Sequence, residues 1–551
     1  MKKITVLLWI IFILDSLVAQ QATCFRIALT DKNQNAFSID RPYEFLSERA
    51  VQKRLRLGIP VTEQDLPITT AYKQQILNVN SSIRILTESK WQNTIVVYCP
   101  DTNLLNDIMD LPFTVSIVPV ANYDLSSRQG GYEEVDMQFV SGSVAVDETN
   151  LPYDYGNSFS QVSLFNGHLM HQEGFRGDSM LIVVLDAGWA GMNVHPAFSQ
   201  LFDNGQIIGT RDLSPFSNNV FTRHSHGTKV TALMACSVEM QLIGTAPHAN
   251  YYLIRTEEPD SEQPIELDFW AQGAEIADSL GADVLTSSLG YSRFDDFPQG
   301  NLTYGQCDGV SNVASLNASI ASHKGIVTCV SAGNDGSTDW HYLSVPSDAV
   351  DALCVGAVDI DTLVAPFSSR GPSADNRVKP DVVAVGWGTY TVDDNGGFAY
   401  GNGTSFSCPL LAGMAACLWQ SLPQTSALDI IRIIRKSGHQ YSGPDDEMGY
   451  GVPDFYQAYL NNKDVENIKI NGKSFSLSLF PNPCSDYVYI SNENSDIQHI
   501  KMYDLSGKCL YDSAVSNASL LMIPTSHLSS GLYIVEAQGE KNISYAKISV
   551  R

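Results

Sequence analysis

Short apolar runs alternate with helical segments over the middle of the chain. The clearest runs cover residues 180–185, 251–254, 284–286 and 326–330. Runs this short and this continuously apolar are typical of strands that are buried on both faces, as in parallel sheets covered by helices. The pattern predicts an α/β domain over 155–462, with helices in layers on both sides of a mainly parallel sheet. In such sheets, functional groups gather beyond the carboxyl ends of the strands.

The two ends of the chain have different patterns. Apolar runs at 25–29 and 94–98, with helical spacing between them over 44–57, predict a small α/β unit over 20–121. After residue 463, apolar runs near 487–490, 500–503, 520–523 and 532–535 are separated by turn-forming residues. This second pattern predicts a small all-β sandwich over 463–551.

The stretch 122–154 is polar, acidic and rich in Ser and Gly, with little periodicity. It is predicted to be a linker. An exposed linker that follows a small domain is where proteolytic processing concentrates, so we expect an activation site there.

The first residues indicate export. Lys2 and Lys3 precede an apolar run over 4–14, and a small residue, Ala19, stands at a plausible cleavage point before Gln20. This order predicts a secretory signal peptide over 1–19. The run is shorter than the ~20 residues that a membrane-spanning helix needs, and no other stretch approaches that length, so we expect no transmembrane span.

Composition changes this picture in two respects. The 551 residues include 34 Lys and Arg against 60 Asp and Glu, a net charge of −26, which repels nucleic acid and excludes it as a partner.

There are also ten cysteines in an exported chain. Two pairs could be bridged, and spacing alone does not decide pairing: Cys24 with Cys99, and Cys484 with Cys509. Four others lie in apolar patterns that predict buried free thiols: Cys236, Cys329, Cys354 and Cys417.

Two acid–base candidates stand in turns that contain glycine. Asp186 directly follows a predicted buried strand, where a carboxylate can hold an imidazole in one tautomer, although an Asp there can also cap a turn. His226 stands beside Gly227 at the start of a predicted helix, as a general base could. His224 competes for that role. A zinc site is disfavoured, because histidines two apart do not share a helix face and no further ligands complete a set.

Two more turns supply an amide and a hydroxyl. Asn334 follows the run 326–330, and its amide could donate to a developing oxyanion or could serve a left-handed turn. Ser405 opens a helical run, so its own N–H and the positive end of the helix dipole face a reacting carbonyl. A serine hydroxyl is a weak nucleophile and needs such neighbours.

Asp, His and Ser occur in the order that subtilisin uses. The chain resembles the subtilisin-like serine peptidases, or subtilases, over about 155–460. The resemblance rests on the stretches 185–188, 226–228, 331–334 and 403–409, with further landmarks at 288–290, 367–372, 379–381 and 449–451. Three residues depart from the family pattern without removing a reacting group: Ala187, Lys229 and Phe406.

The resemblance implies a role for each of these residues. Ser405 would be the nucleophile, His226 the general base and then acid, and Asp186 its orienting partner. Asn334 and the Ser405 N–H would bind the oxyanion. An extended substrate would pair with the backbone of Ser288, Leu289 and Gly290.

The resemblance also implies where a substrate side chain binds. The pocket for the residue on the amino side of the scissile bond, P1, would be lined by Ala332, Gly333 and a residue near Ser344. Their small side chains would leave room for a large apolar residue. The chemistry needs no cofactor. Structural calcium is common in the family, but we assign no metal site, because the acidic pairs 295–296 and 393–394 are expected to be solvated loop charges.

The flanking units resemble parts of exported subtilases from bacteria with a type IX secretion system. The unit 20–121 is similar to an inhibitory propeptide, and 463–551 is similar to a type IX sorting domain, with a carbohydrate-binding sandwich as the alternative. We therefore expect a zymogen that passes through the periplasm to the cell surface or medium. Its partners would be protein or peptide substrates, its own propeptide and the type IX machinery.

Two alternative function classes are an esterase and a binding protein. An esterase of the α/β-hydrolase type needs Gly-x-Ser-x-Gly and the order Ser…Asp…His, and neither is present. A catalytically silent surface binding protein on the same fold is the remaining alternative. Loss of one of the reacting residues would favour it, and all of them are present.

Overall fold

A computed structural model describes residues 22–125 and 153–471. In the C-terminal region it describes 479–480, 484, 487–491, 497–504, 507–515, 520–539 and 543–550. The predicted signal peptide and most of the predicted linker lie outside the described residues.

The N-terminal unit is an antiparallel sheet with helices. Its strands are β1 (Cys24–Leu29), β2 (Arg84–Ser89), β3 (Thr94–Tyr98) and β4 (Thr114–Ala121), in the order β2-β3-β1-β4. Its helices are α1 (Glu48–Leu57), α2 (Thr70–Val79) and α3 (Leu104–Met109). Helix α1 begins later than the predicted 44–57, because the Ser47 hydroxyl caps it by accepting the Ala50 N–H at 3.0 Å.

A seven-stranded parallel sheet forms the centre of the protein, in the order β13-β12-β11-β10-β5-β9-β6. This confirms the predicted α/β class. The strands of this region are β5 (Leu181–Asp186), β6 (Ile207–Asp212), β7 (Ser237–Val238), β8 (Leu242–Ile243), β9 (Asn250–Arg255), β10 (Val284–Ser287), β11 (Val327–Ser331), β12 (Leu353–Val358), β13 (Val382–Val385), β14 (Trp387–Val392) and β15 (Phe398–Asn402).

Helices cover both faces of this sheet. The helices of the region are α4 (Phe159–Ser163), α5 (Gly167–Gln172), α6 (Ser199–Asp203), α7 (His226–Ala235), α8 (Glu266–Leu280), α9 (Val313–His323), α10 (Thr404–Ser421), α11 (Ala427–Lys436) and α12 (Phe455–Asn471). Alternate residues of β5 point to opposite sides: Ile182 and Val184 pack with α7 and α10, whereas Val183 and Leu185 pack with α8 and α9. The continuous apolar run therefore reflects burial on both faces.

The N-terminal unit packs against α8 and α9. Phe25, Ile27 and Val97 share one hydrophobic core with Phe269 and Trp270 of α8. Backbone pairing continues the contact, since the Ile265 N–H donates to the Val120 carbonyl at 3.0 Å.

The C-terminal region is all β, as predicted. Its two antiparallel sheets have the orders β16-β17-β20 and β19-β18-β21-β22, and they enclose one apolar core. The strands are β16 (Leu479–Phe480), β17 (Tyr487–Ser491), β18 (Ile497–Asp504), β19 (Cys509–Ala514), β20 (Leu520–Pro524), β21 (Gly531–Gly539) and β22 (Ile543–Val550). Helix α12 runs through residue 463, where the sequence predicts a domain boundary.

Three further predictions concern thiols and membranes. All ten cysteines are free, so neither Cys24 and Cys99 nor Cys484 and Cys509 are bridged. The four thiols predicted to be buried and free are so. Within the described residues, no helix combines the length and the apolarity needed to cross a bilayer.

Candidate active site

Asp186 and His226 meet at the carboxyl edge of the central sheet. Asp186 is the last residue of β5 and is fully buried, and His226 is the first residue of α7. Asp186 Oδ1 lies 2.8 Å from His226 Nδ1 and also accepts the Ala187 N–H at 2.7 Å. Burial lowers the pKa of His226, but the charge and hydrogen bond of Asp186 together outweigh it, so the net pKa is raised above 6.5.

Two glycines allow this close approach. The Gly227 N–H donates to the Gly188 carbonyl at 2.9 Å, and a Cβ on Gly227 would lie 2.7 Å from that oxygen. Gly188 has φ 143°, and a Cβ there would lie 2.8 Å from the Thr222 carbonyl oxygen. Any side chain at either position would therefore push the start of α7 away from the end of β5.

The structure separates the two histidines. His224 Nδ1 accepts the His226 N–H at 3.1 Å, so His224 supports the first turn of α7 and only His226 reaches Asp186. The two rings are 6.1 Å apart at their centroids.

Ser405 lies in the first turn of α10, which packs against α7. The residue is 9% exposed. Its hydroxyl donates to the Ser288 carbonyl at 3.2 Å, and among the described residues no hydrogen bond joins it to His226. The structure thus brings Asp186 to His226 and Ser405 to Ser288.

Pro409 explains a second bond between Ser405 and Ser288. Pro409 lies inside α10 and has no N–H, so it leaves the Ser405 carbonyl without its helical donor. The Ser288 hydroxyl donates to that carbonyl at 2.9 Å. Ser288, just past the end of β10, therefore holds the turn that carries Ser405, although the two residues are 117 positions apart in the chain.

Asn334 is bound through its amide oxygen to the turn that carries Ser405. Its Oδ1 accepts the Thr404 N–H at 2.9 Å. A Cβ on Gly403, which has φ 152°, would lie 3.8 Å from Ser405 Cβ and 3.9 Å from Asn334 Nδ2. The amide nitrogen and Ser405 thus border one small space that Gly403 leaves open. Donors in that arrangement can stabilise negative charge on an oxygen bound there.

The predicted substrate-binding segments leave neighbouring parallel strands. Ser288, Leu289 and Gly290 follow β10, and Ala332 and Gly333 follow β11. A Cβ on Gly333 would lie 2.7 Å from Ser344 Oγ, and one on Gly290 would lie 2.8 Å from Ser344 Cβ. Ser344 therefore lies between the two segments. Ala332 is fully buried in a cluster with Leu343 and Cys354, so its side chain packs in the interior and supports the segment that follows β11.

Two departures from the family pattern contact the hairpin β14–β15, which the sequence did not predict. Phe406 is accommodated because Gly401 has no side chain: a Cβ there would lie 2.5 Å from Phe406 Cε2. Lys229 Nζ lies 3.0 Å from Asp394, in the turn of the same hairpin. Asp394 thus pairs with a lysine rather than being only a solvated charge.

One cluster of three carboxylates has side chains of the kind that bind metal ions. In the described part of the chain, Glu257, Glu262 and Glu266 bring one oxygen each within 4.8 Å of one another. Burial raises the pKa of all three. Repulsion within the cluster raises the pKa of Glu257 and Glu266 further, and the charges of Asp295 and Asp296 do so for Glu262. Glu257 already accepts a hydrogen bond from Tyr291. We assign no metal to this cluster.

Some contributing residues were not identified from the sequence. Thr404 and Pro409 lie inside the motif around Ser405, so the motif itself was a signal for them. Asp335 follows Asn334 directly, and its carboxylate accepts a hydrogen bond from Ser344 at 3.4 Å. Nothing in the local sequence distinguishes Asp335 from an ordinary turn residue.

Three family models match this chain. Residues 177–451 match the subtilase family, residues 24–133 match the peptidase S8 propeptide domain of Bacteroidota, and residues 478–551 match the secretion system C-terminal sorting domain. Together with the parallel sheet and the Asp, His and Ser side chains at its edge, these matches show that the chain belongs to the subtilases. More narrowly, it is a subtilase with a Bacteroidota-type propeptide and a type IX sorting domain, which indicates export to the cell surface or medium.

Individual relatives are distant. The chain is 24% identical to subtilisin E of Bacillus subtilis (strain 168) over 321 residues, covering 54% of this chain and 76% of that protein. It is 27% identical to membrane-bound transcription factor site-1 protease of Mus musculus over 301 residues, covering 53% of this chain. The chain spans only 26% of the length of that protease.

Proposed function

We propose that this protein is a serine endopeptidase, made as a zymogen, in which Ser405, His226 and Asp186 form the catalytic triad. The observation that carries the proposal is the 2.8 Å contact between buried Asp186 and His226 Nδ1, at the sheet edge where Ser288 binds Ser405 in the first turn of α10. That contact leaves Nε2 of His226 available as the base. The match to the subtilase family supports the same reading.

The reaction would proceed through an acyl-enzyme. Ser405 Oγ leaves the Ser288 carbonyl and attacks the substrate carbonyl, while His226 Nε2 takes the hydroxyl proton. The oxygen that becomes negative is stabilised by Asn334 Nδ2 and the Ser405 N–H. When the tetrahedral intermediate collapses, the C–N bond breaks and the leaving amine takes the proton from His226. Water then gives a proton to His226 and attacks the ester carbonyl. The bond between that carbon and Ser405 Oγ breaks, the carboxylic acid product leaves, and His226 returns the proton to Ser405 Oγ.

Asp186 would act by holding the imidazole. Its charge stabilises the imidazolium that forms when His226 takes the proton, which is consistent with the raised pKa of His226. The chemistry requires no cofactor. The propeptide would inhibit the enzyme until it is removed, and exported protein or peptide chains would be the substrates.

Active-site labelling tests the proposal. The processed protein is treated with a fluorophosphonate probe beside two variants, Ser405→Ala and Ser421→Ala. Ser421 lies at the far end of the same helix, and its hydroxyl donates to Leu418. We expect labelling of the wild type and of Ser421→Ala, and none of Ser405→Ala. An unlabelled wild type would instead favour a catalytically silent binding protein on this fold.

A further inference from the structure

One outward-facing residue of the sorting domain is buried. In β17, Val488 and Ile490 point into the apolar core of the domain, so Tyr489 between them points to the outer face of the sheet. The antiparallel partner of Tyr489 is Met522 of β20, which shares that face and is 52% exposed. Tyr489 is only 9% exposed. The shielding of Tyr489 therefore comes from beyond its own sheet.

The propeptide supplies this shielding. The ring of Tyr43 lies edge-on to the ring of Tyr489, with the centroids 5.5 Å apart and the planes at 74°. This is a T-shaped geometry, which aromatic pairs favour. Burial raises the pKa of Tyr489, and the charges of Asp40 and Glu44 in the propeptide are among those that raise it further. Among the described helices and strands outside the sorting domain, α1 packs most extensively against it, through β17.

The local sequence of the propeptide explains why Tyr43 faces outward. Pro42 opens a short turn, and its carbonyl accepts the Phe45 N–H at 3.1 Å and the Leu46 N–H at 2.8 Å. Phe45 and Leu46 then point inward and join a small apolar cluster with α1, whereas Tyr43 stays at the surface. The turn therefore presents one aromatic ring beside the start of α1.

The same part of the propeptide is also anchored to the catalytic domain. The Ser47 N–H donates to the Ser279 carbonyl of α8 at 2.9 Å. A Cβ on Gly281 would lie 2.6 Å from the Ala50 nitrogen, so the end of α8 and the start of α1 are in backbone contact. The turn and α1, residues 42–57, thus contact both the catalytic domain and the sorting domain. We call residues 42–57 the docking segment.

We propose that the docking segment holds the sorting domain in the zymogen, and that removal of the propeptide releases the sorting domain and exposes the face that carries Tyr489. A small contact suffices in the zymogen, because a single chain keeps the two surfaces at a high effective concentration. Loss of the propeptide removes Tyr43 and α1 together. The inference goes beyond the proposed function, since it concerns a contact between domains and does not depend on Ser405 as a nucleophile.

The test measures the position of the sorting domain in the full chain by pulsed electron paramagnetic resonance. The chain carries Ser405→Ala, which prevents self-processing, and a site-specific protease sequence in the predicted linker. Spin labels are attached to Cys509, the exposed one of the ten cysteines, and to Asp361→Cys, in an exposed turn of the catalytic domain. We expect a narrow distance distribution in the uncut chain. Cutting the linker and removing the propeptide should widen it at least about twofold, because domains without a large interface move relative to one another.

Point variants of the uncut chain separate docking from other effects of the cut. Tyr43→Ala should widen the distribution as removal of the propeptide does. Tyr43→Phe keeps the ring and should leave the distribution narrow. Met522→Ala is the matched control on the sorting domain, because Met522 lies on the same face as Tyr489 but is exposed, and it should also leave the distribution narrow.

The proposal is overturned by a distribution that is already broad in the uncut chain. A distribution that stays narrow in Tyr43→Ala, or after removal of the propeptide, overturns it as well. Equal broadening by Tyr43→Phe or by Met522→Ala would have the same consequence, because the contact between the two rings would then not decide where the sorting domain lies.

Discussion

The propeptide is fastened to the catalytic domain by a buried arginine, and this contact allows a quantitative prediction. Arg54 of α1 has a fully buried side chain. Its Nη2 lies 2.7 and 2.8 Å from the two carboxylate oxygens of Asp278 in α8, and 3.0 Å from Asp65 of the propeptide. Asp65 has a second partner, because Lys324 Nζ lies 2.8 Å from it. Among the described residues, the other ion-pair partner of Asp278 is Lys90, whose Nζ lies 3.5 Å away.

Replacing Arg54 by Met leaves Asp278 buried with that one distant cation. Breaking a buried ion pair from one side costs about 3–5 kcal/mol. At 1.4 kcal/mol for each factor of ten, the propeptide should bind about 140-fold to about 3,700-fold more weakly. The lower part of this range is expected, since Lys90 and Lys324 remain.

The assay uses the full chain with Ser405→Ala, cut at a site-specific protease sequence inserted in the predicted linker. Dissociation of the propeptide from the remainder is then measured with and without Arg54→Met. Arg41→Met is the matched control, because Arg41 is exposed and pairs with Glu44 inside the propeptide. Asp278→Asn completes a double-mutant cycle and leaves the bond between Arg54 and Asp65 intact. A change below threefold for Arg54→Met, or a coupling energy near zero, would refute the reasoning.

Two further predictions concern the site. Activity should appear as His226 loses its proton, at a pKa above 6.5. In Asp186→Asn that pKa should fall, so the acid limb of the kcat/KM profile should move to lower pH, and the rate should fall about 10⁴-fold. An acid limb that does not move would contradict the role of Asp186. Gly401→Ala should lower the melting temperature of the catalytic domain by about 2–12 °C through overpacking. Adding Phe406→Met to Gly401→Ala should restore the melting temperature measured by calorimetry. Gly443→Ala is the control, because a Cβ there would meet no atom within 4 Å, and it should leave the melting temperature unchanged. A double variant without rescue would contradict the packing explanation.

Much of the fold could be predicted because its signals are local. The strand β5 reads as a continuous apolar run since both of its faces are buried, and the same holds for β10 and β11. The sequence does not predict the hairpin β14–β15, because β15 is largely exposed and contains glycine and asparagine, which a local pattern does not distinguish from a loop.

For the candidate site, too, the sequence predicted some features and only the tertiary structure showed the others. The residue types around Asp186, His226, Asn334 and Ser405 were identified from four turns and their order along the chain. Their roles stay predictions until activity is measured. The structure decided which histidine contacts Asp186, which way the Asn334 amide points, and that Ser288 bonds the turn of Ser405.

The sequence by itself determined the alternation of strands and helices, the motifs in the turns and the order of the domains. These features depend on the spacing of apolar residues and on turn-forming residues, which act between near neighbours in the chain. Only the tertiary structure decided the contacts between distant residues. Asp186 and His226 are 40 positions apart, and Ser288 and Ser405 are 117 apart. The packing of α10 against β10, rather than any local pattern, brings the second pair together.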